Sequence, residues 1–476
     1  MSATAEQDLA FAGPRALARA VRERELTARE LVELYLRRIE SLDPRLNSFR
    51  TVMAEEALAT ADRLGQVDAG DAGPLAGVPV AVKDNHPVKG QALTYGSRGA
   101  DPTPQPADAE VVRRLREAGA IPVGITNVPE LTIFPWTASD AHGITRNPWD
   151  PSRTPGGSSG GSASAVAAGL VPAATASDGG GSIRIPAACC GLVGMKASRG
   201  RVSMHPFGEG WFGLSTFGAL ARTVSDSALL LDVLQGASPE DRYRLPAAAE
   251  SFSAAAAREP GRLRIAVSRK VPGGLVAPIS ADQRLAFERA ARLLCELGHE
   301  VVERDPRYGL LSLEFVQTWI GGIDHEFSQL RYPERTEAST RQMAAAGRRL
   351  VPPRRRELLR TRREQKIRPL LELWDEVDVL LTPGLARTAL PAEGGYGRAA
   401  PIAFDRAARF TPWTALFNLT GQPAISLPAG LGTDGLPLSV QLAGRIGEEA
   451  TLYALAAQIE AARPWATQRP ALAVVA

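Results

Sequence analysis

Cysteine, histidine and lysine are all scarce in this chain of 476 residues, which has three cysteines, five histidines and, among 55 basic residues, five lysines. An odd number of cysteines in a long chain does not indicate a disulfide framework, and the adjacent Cys189 and Cys190 are predicted to be buried thiols. No H-x-x-x-H or C-x-x-C spacing occurs, so we expect no metal site. No sequence motif calls for a cofactor either.

Long apolar runs are also absent from the sequence. No stretch reaches about 18 uninterrupted apolar residues, and the run Ala163–Ala176 is interrupted by Ser164, Gly169 and Pro172, so no membrane span is expected. The N-terminal residues lack the apolar core of a signal peptide, which favours the cytoplasm.

The net charge of +3 is small, so no nucleic-acid partner is predicted from it. One segment, residues 348–368, is strongly basic and has leucine and isoleucine at roughly helical spacing. We interpret it as a solvated amphipathic helix, with nucleic-acid binding as the alternative.

Short β-branched runs alternate with segments of helical period, which indicates an α/β architecture. The clearest helix covers residues 27–42, where Thr27 and Glu30 form a T-x-x-E capping box. The other predicted helices cover residues 54–67, 107–118, 162–170 and 281–297, with a mostly helical segment over 311–371. The predicted strands cover residues 78–82, 121–124, 263–268, 299–303, 377–381, 424–428 and 438–442, and residues 383–404 are predicted to be a loop.

Lys83 follows directly on the predicted strand Val78–Val82. Because the chain otherwise prefers arginine, a lysine kept at this position suggests a need for an amine that can lose its proton, which a guanidinium in a protein cannot do. The alternative is a structural lysine whose stem lies along apolar surface while its charge reaches water.

Two serine clusters flanked by glycines lie in the middle of the chain, at 156–161 and 179–182. Glycine has no Cβ and lets a ligand approach the backbone closely. The N–H groups near Ser182 could therefore face an oxyanion, where each donor lowers the barrier by on the order of 3 kcal/mol. A serine needs a base, and two serines with a lysine are enough for hydrolysis without histidine. The alternative is a glycine loop that binds an anion at a helix N-terminus.

Residues 156–160 also match G-x-S-x-G, the nucleophile elbow of α/β-hydrolases. An elbow needs a strand that runs into Ser158, and the prolines between residues 147 and 156 oppose a central strand. It also needs a histidine downstream, and His205, His299 and His325 have no motif context. The elbow is therefore the less favoured interpretation.

Taken together, these motifs resemble the amidase signature family. The resemblance is carried by GGSSGGS at 156–162, by GGS at Gly180–Ser182, whose serine follows Ser158 by 24 residues, and by GVPVAVKD at Gly77–Asp84. Phe417–Ser426 is a further match. Ser177 departs from the family pattern, which commonly has threonine there.

The resemblance implies a single α/β/α domain over residues 1–476, with a large mixed central sheet flanked by helices. It implies four regions: N-terminal helices over 1–70, a catalytic core over 71–230, a variable and largely helical substrate-side region over 231–410, and C-terminal strands and a helix over 411–476.

The resemblance also implies a Ser–cis-Ser–Lys triad. Ser182 is then the nucleophile, and Ser158, which follows a cis peptide bond after Gly157, links it to a neutral Lys83. The backbone N–H groups of four residues form the expected oxyanion hole: Gly179, Gly180, Gly181 and Ser182. The residues expected to support this site are Ser159, Asp178 and Arg184.

The expected function is hydrolysis of carboxamides with an aryl or hydrophobic acyl group, with esters and carbamates as secondary substrates. The expected partner is a small-molecule amide, no cofactor is implied, and a homodimer would not be surprising. The alternatives are an amidotransferase subunit that releases ammonia for tRNA-dependent amidation and a non-catalytic binding protein. Leu214–Leu220 replaces an extended segment typical of the amidotransferase subunits, which favours a stand-alone enzyme. The predicted pocket residues, with ordinary core as the alternative, are Ile133, Phe134, Trp136, Phe207 and Trp211.

Overall fold

The computed structural model describes residues 3–66 and 73–473, with side chains from residue 6 onward. Within these ranges a mixed sheet of eleven strands forms the centre, and a separate pair of short strands lies beside it. The strands are β1 (Phe49–Val52), β2 (Pro79–Lys83), β3 (Ile121–Thr126), β4 (Ala138–Ser139), β5 (Gly143–Ile144), β6 (Ala173–Asp178), β7 (Val193–Lys196), β8 (Thr216–Ala221), β9 (Arg264–Val267), β10 (Glu300–Glu303), β11 (Val379–Pro383), β12 (Ala424–Leu431) and β13 (Pro437–Ala443).

The strands of the large sheet follow the order β1-β3-β2-β6-β8-β7-β12-β13-β11-β9-β10. The neighbours β3, β2 and β6 are parallel, and so are β11, β9 and β10, whereas the strands between these two groups pair antiparallel. The sheet is therefore mixed, as expected.

Helices occupy most of the remaining described chain, and none of those within the described ranges is both long and apolar enough to cross a bilayer. They are α1 (Ala3–Phe11), α2 (Pro14–Arg22), α3 (Ala28–Leu46), α4 (Ala54–Leu64), α5 (Glu110–Glu117), α6 (Gly160–Ala167), α7 (Arg184–Cys190), α8 (Val224–Leu234), α9 (Phe252–Ala255), α10 (Ala281–Glu296), α11 (Leu311–Ser328), α12 (Ala338–Leu350), α13 (Pro353–Thr361), α14 (Arg363–Leu371), α15 (Ala400–Phe410), α16 (Ala415–Thr420) and α17 (Glu449–Ala462).

Two hydrophobic clusters cover opposite faces of the sheet. On β2, Ala81 belongs to one cluster and Val80 to the other, and on β11 Leu380 and Val379 divide in the same way. Successive side chains of a strand point to opposite faces, so each cluster lies on one face. Helices α6, α7 and α11 contribute to the first cluster, and α5, α8, α10 and α17 to the second. The α/β/α layering in a single domain is thereby confirmed.

The helix predicted over 27–42 is confirmed as α3, and its capping box is formed between Thr27 and Glu30. The helix predicted over 54–67 is α4, which ends at Leu64, while residue 67 and the expected boundary at 70 lie outside the described residues. The other predicted helices and strands are confirmed with shifted ends, and the segment 311–371 holds four α-helices.

Two predictions on the substrate side are wrong in part. The basic segment 348–368 is not one helix, because two prolines at Pro352 and Pro353 separate α12 from α13, and α14 follows. Its arginines are not all solvated either, since Arg363 is buried. The predicted loop 383–404 ends early, because α15 begins at Ala400.

The sequence patterns missed three central strands, β6, β7 and β8. Their sequences, AATASD, VGMK and TFGALA, consist largely of small residues rather than the β-branched residues that mark strands. Small side chains fit there because helices α6 and α7 pack closely against this part of the sheet. The strand that leads to the serine loop was therefore the least visible in the sequence.

A substitution at Gly161 measures how closely α6 packs against its neighbours. A Cβ on Gly161 would lie 2.5 Å from Asn127 N and 2.6 Å from Ser48 O, both backbone atoms. We expect Gly161→Ala to lower the free energy of unfolding by about 1–3 kcal/mol, because overpacking forces the backbone apart. Urea denaturation measures it.

Gly65→Ala is the matched control, since Gly65 has helical φ and ψ of −62° and −15° and a Cβ there would lie 3.4 Å from its nearest neighbour. This variant should lose no stability. An undiminished free energy of unfolding for Gly161→Ala would contradict the close packing of α6.

Candidate active site

The site begins where two parallel strands end side by side. β2 ends at Lys83, and its neighbour β6 ends at Ser177 and Asp178. Parallel neighbours present their carboxyl ends at the same edge of a sheet, so these side chains meet there. Helix α6 starts at the same edge, where Ser162 Oγ donates to Thr175 O over 2.8 Å. The loop before α6 is thereby held against β6.

The Lys83 amine is buried between two serine hydroxyls. Its Nζ lies 2.8 Å from Ser158 Oγ and 2.8 Å from Ser177 Oγ, and the side chain is 0% exposed. Burial lowers the pKa of Lys83 well below its usual value, and the nearby Asp178 carboxylate only partly opposes this. The amine therefore becomes neutral at a much lower pH than an exposed lysine, and it can then accept a proton from Ser158.

A second buried lysine, Lys196 on β7, lies in a different setting. Its Nζ donates to Ala197 O over 2.9 Å and to Gln422 O over 2.7 Å. Burial lowers the pKa of Lys196 to about 7. Because its hydrogen bonds go to backbone carbonyls rather than to a serine, Lys196 joins two segments of the fold and Lys83 is the candidate base.

Ser158 lies in the loop before α6 and follows a cis peptide bond after Gly157. A Cβ on Gly157 would lie 2.5 Å from Phe134 O and 2.6 Å from Trp136 N, so only glycine fits. The neighbouring Ser159 Oγ donates to Ser177 O over 3.3 Å. The loop is therefore held on two sides, with the Ser158 hydroxyl directed at Lys83.

Ser182 follows three glycines in the loop between β6 and α7, and it is 8% exposed. It lines a cavity of about 490 Å³ that Ser158 and Ser177 also line. Within the described residues, its Oγ has no hydrogen-bond partner, and it is not hydrogen-bonded to Ser158. The hydroxyl is therefore free to face a substrate carbonyl, and such contacts commonly tighten only when substrate binds.

Asp178 and Arg184 form a buried ion pair that holds the Ser182 loop. Arg184 Nη2 lies 2.9 Å from Asp178 Oδ1, and Asp178 also accepts the N–H of Gly181 over 2.7 Å. Burial by itself would raise the pKa of Asp178, but the Arg184 guanidinium outweighs it and lowers the pKa below its usual value. The carboxylate is therefore ionised and fixes the turn before Ser182.

The hydrogen bond from Gly181 N–H to Asp178 contradicts one prediction from the sequence, that Gly181 is a donor in the oxyanion hole. Its N–H points to Asp178, so it does not join the other expected oxyanion donors. Within the described ranges, the N–H groups of Gly179, Gly180 and Ser182 donate no hydrogen bond. These three groups remain available to an oxyanion.

Several residues of the site were not singled out from the sequence. Ser177 contacts Lys83 directly and also accepts from Asn85 Nδ2 over 2.8 Å. Asn418 Nδ2 donates to Asp178 O over 2.7 Å, and Thr414 Oγ1 donates to Gly180 O over 2.7 Å. Two of these residues had a signal in the sequence: Asn418 lies in the matching segment Phe417–Ser426, and Ser177 stands where the family commonly has threonine. No sequence pattern pointed to Thr414.

Two cavities meet at Ser182 and Trp319. The first, of about 490 Å³, is lined by Phe207 and Trp211, among others, and the second, of about 100 Å³, by Ile133 and Phe134. The second cavity is largely apolar. Its further apolar lining includes Ile185, Leu275, Phe315, Val316, Phe404 and Leu416.

Trp136, expected to line the pocket, lines neither cavity. It is buried, and its ring stacks on that of Phe134 with 4.7 Å between centroids. Its other face meets the backbone at Gly394 and Gly395. Trp136 therefore supports the wall of the second cavity from behind.

The elbow interpretation of Ser158 is not supported by the geometry. The chain that enters Ser158 is not a strand, and within the described residues no histidine is hydrogen-bonded to Ser158 or Ser182. His86, the buried histidine near Lys83, bonds through Nδ1 to Thr175 Oγ1 over 2.8 Å. In the part of the chain that the structure describes, no group of three or more histidine, cysteine or acidic side chains is arranged to hold a metal ion.

Comparisons with known proteins agree with this geometry. The amidase family model matches residues 30–453. A protein of Mycobacterium tuberculosis named "Putative amidase AmiB2" is 48% identical, covering 98% of this chain and 99% of its own length. A glutamyl-tRNA(Gln) amidotransferase subunit of Prochlorococcus marinus is 36% identical, covering 94% of this chain and 96% of its own.

Solved structures show the same fold. A 6-aminohexanoate cyclic dimer hydrolase has a TM-score of 0.89 at 30% identity, covering 98% of this chain and 99% of its own. A bacterial aryl acylamidase of the amidase signature family has a TM-score of 0.86 at 26% identity, with the same coverage of 98% and 99%.

These matches confirm the resemblance in the sequence motifs, and they extend over almost the whole chain. The chain belongs to the amidase family and is a hydrolase that acts on amide bonds.

Proposed function

We propose that this protein hydrolyses carboxamides with an aryl or hydrophobic acyl group through an acyl-enzyme on Ser182. The observation that carries the proposal is the buried Lys83 amine, 2.8 Å from Ser158 Oγ, beside a cavity that Ser158 and Ser182 share. Lys83 is the base, Ser158 relays the proton, and Ser182 is the nucleophile.

In the first step, Ser182 Oγ attacks the amide carbon. Its proton passes to Ser158 as the proton of Ser158 passes to neutral Lys83. The N–H groups of Gly179, Gly180 and Ser182 stabilise the negative oxygen of the tetrahedral intermediate. The C–N bond then breaks, and the leaving amine takes a proton from Ser158, which Lys83 replenishes.

Water hydrolyses the acyl-enzyme in the second step by the same route. Its proton passes through Ser158 to Lys83 while its oxygen attacks the acyl carbon, and Ser182 leaves with a proton returned by the pair. Asp178 and Arg184 take no proton, and they hold the loop. Esters and carbamates present the same carbonyl geometry, so we infer that they are secondary substrates.

The preferred substrate is inferred from the second cavity, which opens at Ser182 and is lined by apolar side chains. A hydrophobic group bound there is removed from water, which stabilises the complex by about 1.5–3 kcal/mol for a group the size of a leucine or phenylalanine side chain. The likeness to an aryl acylamidase supports the same substrate class.

The assembly and location of the enzyme are further parts of the proposal. Cys189 and Cys190 are free buried thiols, which fits a cytoplasmic enzyme. Light scattering of the purified protein tests whether it forms a homodimer.

The nucleophile is tested with a fluorophosphonate probe, intact mass and peptide mapping. We expect labelling at Ser182, and we expect Ser182→Ala to lower kcat by about 10⁴-fold or more, because the acyl-enzyme cannot form. Ser225→Ala, an exposed serine on α8, should label and turn over as the unmodified enzyme does. Labelling at Ser158 instead of Ser182 would revive the elbow interpretation.

The base is tested by the pH dependence of kcat/KM. Because the pKa of Lys83 is lowered and only the neutral amine accepts a proton, activity should rise with pH and reach a plateau, with a midpoint well below 10.5. Lys83→Arg should be inactive at every pH, since the guanidinium keeps its proton.

The exposed Lys270→Arg is the matched control and should retain the profile. If Lys83→Arg is active, or if kcat/KM of the unmodified enzyme falls as the pH rises, Lys83 is not the base.

The second cavity is tested by filling it from α15. Ala407→Phe should lower kcat/KM for octananilide by about 10-fold or more relative to acetanilide, because the longer acyl chain loses its site. Ala345→Phe, at an exposed position on α12, should leave the ratio unchanged. If Ala407→Phe leaves the ratio of kcat/KM for octananilide to that for acetanilide unchanged, the second cavity is not the acyl site.

An amidotransferase role is the second candidate, favoured by the 36% identity to such a protein. It predicts that glutamine is hydrolysed faster than an anilide, or that activity requires added subunits. Turnover of anilides by the purified chain alone contradicts it. A purely binding role instead predicts that Ser182→Ala changes no function.

A further inference from the structure

The first cavity has an acidic lining. Three carboxylates line it, at Asp101, Glu209 and Glu326, and its described lining includes no lysine or arginine. Two of these carboxylates are paired with arginines behind the lining. Asp101 lies 3.0 Å from Arg331 Nη1, and Glu209 lies 2.5 Å from Arg360 Nη2. Their charges are therefore largely compensated within the protein.

Glu326, on α11, is the exception. Within the described residues its carboxylate makes no hydrogen bond and no ion pair, although the side chain is half-buried. Burial raises the pKa of Glu326 to about 7. A carboxylate that is partly removed from water without a partner is unfavourable, and a cation supplied from outside relieves that cost.

The position of Glu326 relative to Ser182 follows from α11. Phe315, Trp319 and Glu326 lie at positions i, i+4 and i+11, which share one helix face. Trp319 lies against the Ser182 loop, since a Cβ on Gly179 would meet its ring at 3.3 Å. Glu326 follows Trp319 by seven positions, so it lies about 10 Å farther along the axis of α11, and both residues line the first cavity.

The lining between these two points suits a cation as well. Trp211 packs on Trp319 with 4.2 Å between ring centroids. Phe212 lies on the same wall, but its ring already faces the guanidiniums of Arg356 and Arg360, so the two tryptophans are the aromatic contacts open to a substrate. Aromatic faces attract cations, and they also cover an alkyl chain. The wall therefore fits a chain that is apolar along its length and cationic at its end.

We propose that Glu326 binds a protonated primary amine that the substrate carries about 10 Å from the scissile amide, so that amides of ω-amino acids or of diamines are favoured over the same amides without the ammonium group. This inference rests on the proposed function, since it takes Ser182 as the point of cleavage. An extended peptide of about three residues spans the same distance, so an N-terminal or lysine amine fits as well.

Binding is measured in the Ser182→Ala background, so that the result does not depend on catalysis. The ligands are two pairs in which a methyl group replaces the ammonium: 6-aminohexananilide with heptananilide, and N-(6-aminohexyl)benzamide with N-heptylbenzamide. Calorimetry is run at about pH 8, where an alkyl amine is protonated. We expect the amine to bind about 10- to 100-fold more tightly than its methyl partner in at least one pair, as for a charged hydrogen bond.

Adding Glu326→Gln should remove that preference, and Glu326→Asp should restore part of it. Glu334→Gln, at an exposed glutamate outside the cavity, should retain it. A preference that is absent from both pairs, or that survives Glu326→Gln, overturns the proposal.

Two further measurements keep this inference separate from the proposed function. Hydrolysis of the four amides by the unmodified enzyme reports on the reaction, whatever the affinities are. Fluorophosphonate labelling of Glu326→Gln with Ser182 intact reports whether the variant keeps a folded site. Loss of the amine preference with labelling retained supports the role of Glu326, and an unmodified enzyme that hydrolyses none of the amides contradicts the reaction alone.

Discussion

Burial of the Lys83 amine is the constraint on which the rest of the site depends. A charged amine in this setting is costly, since its hydrogen bonds run to the hydroxyls of Ser158 and Ser177 rather than to a carboxylate. The neutral form is therefore favoured, and a neutral amine accepts a proton. Helix α6 packs closely against β2 and β6, so the small residues that allow this packing contribute to the burial that lowers the pKa of Lys83.

A buried ion pair and its hydrogen bonds hold the Ser182 loop in place. Asp178 accepts hydrogen bonds from the N–H of Gly181 and from the guanidinium of Arg184. Arg184 also donates to Asn418 Oδ1 and to Gln441 Oε1, each over 2.7 Å. A buried ion pair of this kind is worth little unless all its hydrogen bonds are satisfied. Here the partners come from the C-terminal part of the chain, so the loop is rigid only when the whole sheet is complete, and one domain is needed to make one site.

The sequence predicts the parts of the site that depend on local motifs, and it misses those that depend on close packing or on contacts between distant segments. The motifs around Lys83, Ser158 and Ser182 are local and carry their chemistry in residue type, and the strand before Lys83 is β-branched, so both were visible. β6 was missed because close packing selects alanine and serine over β-branched residues. The Gly181 N–H bonds to nearby Asp178, but Asp178 is itself held by the distant Asn418. Trp136 stacks on nearby Phe134, but it packs against the distant Gly394 and Gly395. No local sequence pattern encodes these distant contacts.

In the proposed function, reaction and selectivity thus come from different parts of the fold. The proposed reacting groups lie at strand ends and on loops tied to the sheet, where any movement would separate Lys83 from Ser158. Helix α11 contributes to the walls of both cavities, since Trp319 lines both and Phe315 lines the second. The side chains of Trp319 and Phe315 lie against Gly179 and Gly180 of the Ser182 loop. We therefore expect a substitution at Glu326 on α11 to change which end groups are favoured without moving the Lys83 amine or the serine hydroxyls. Relatives that keep the serine and lysine motifs can in this way differ in substrate, because the chemistry and the pocket are held by separate sets of contacts.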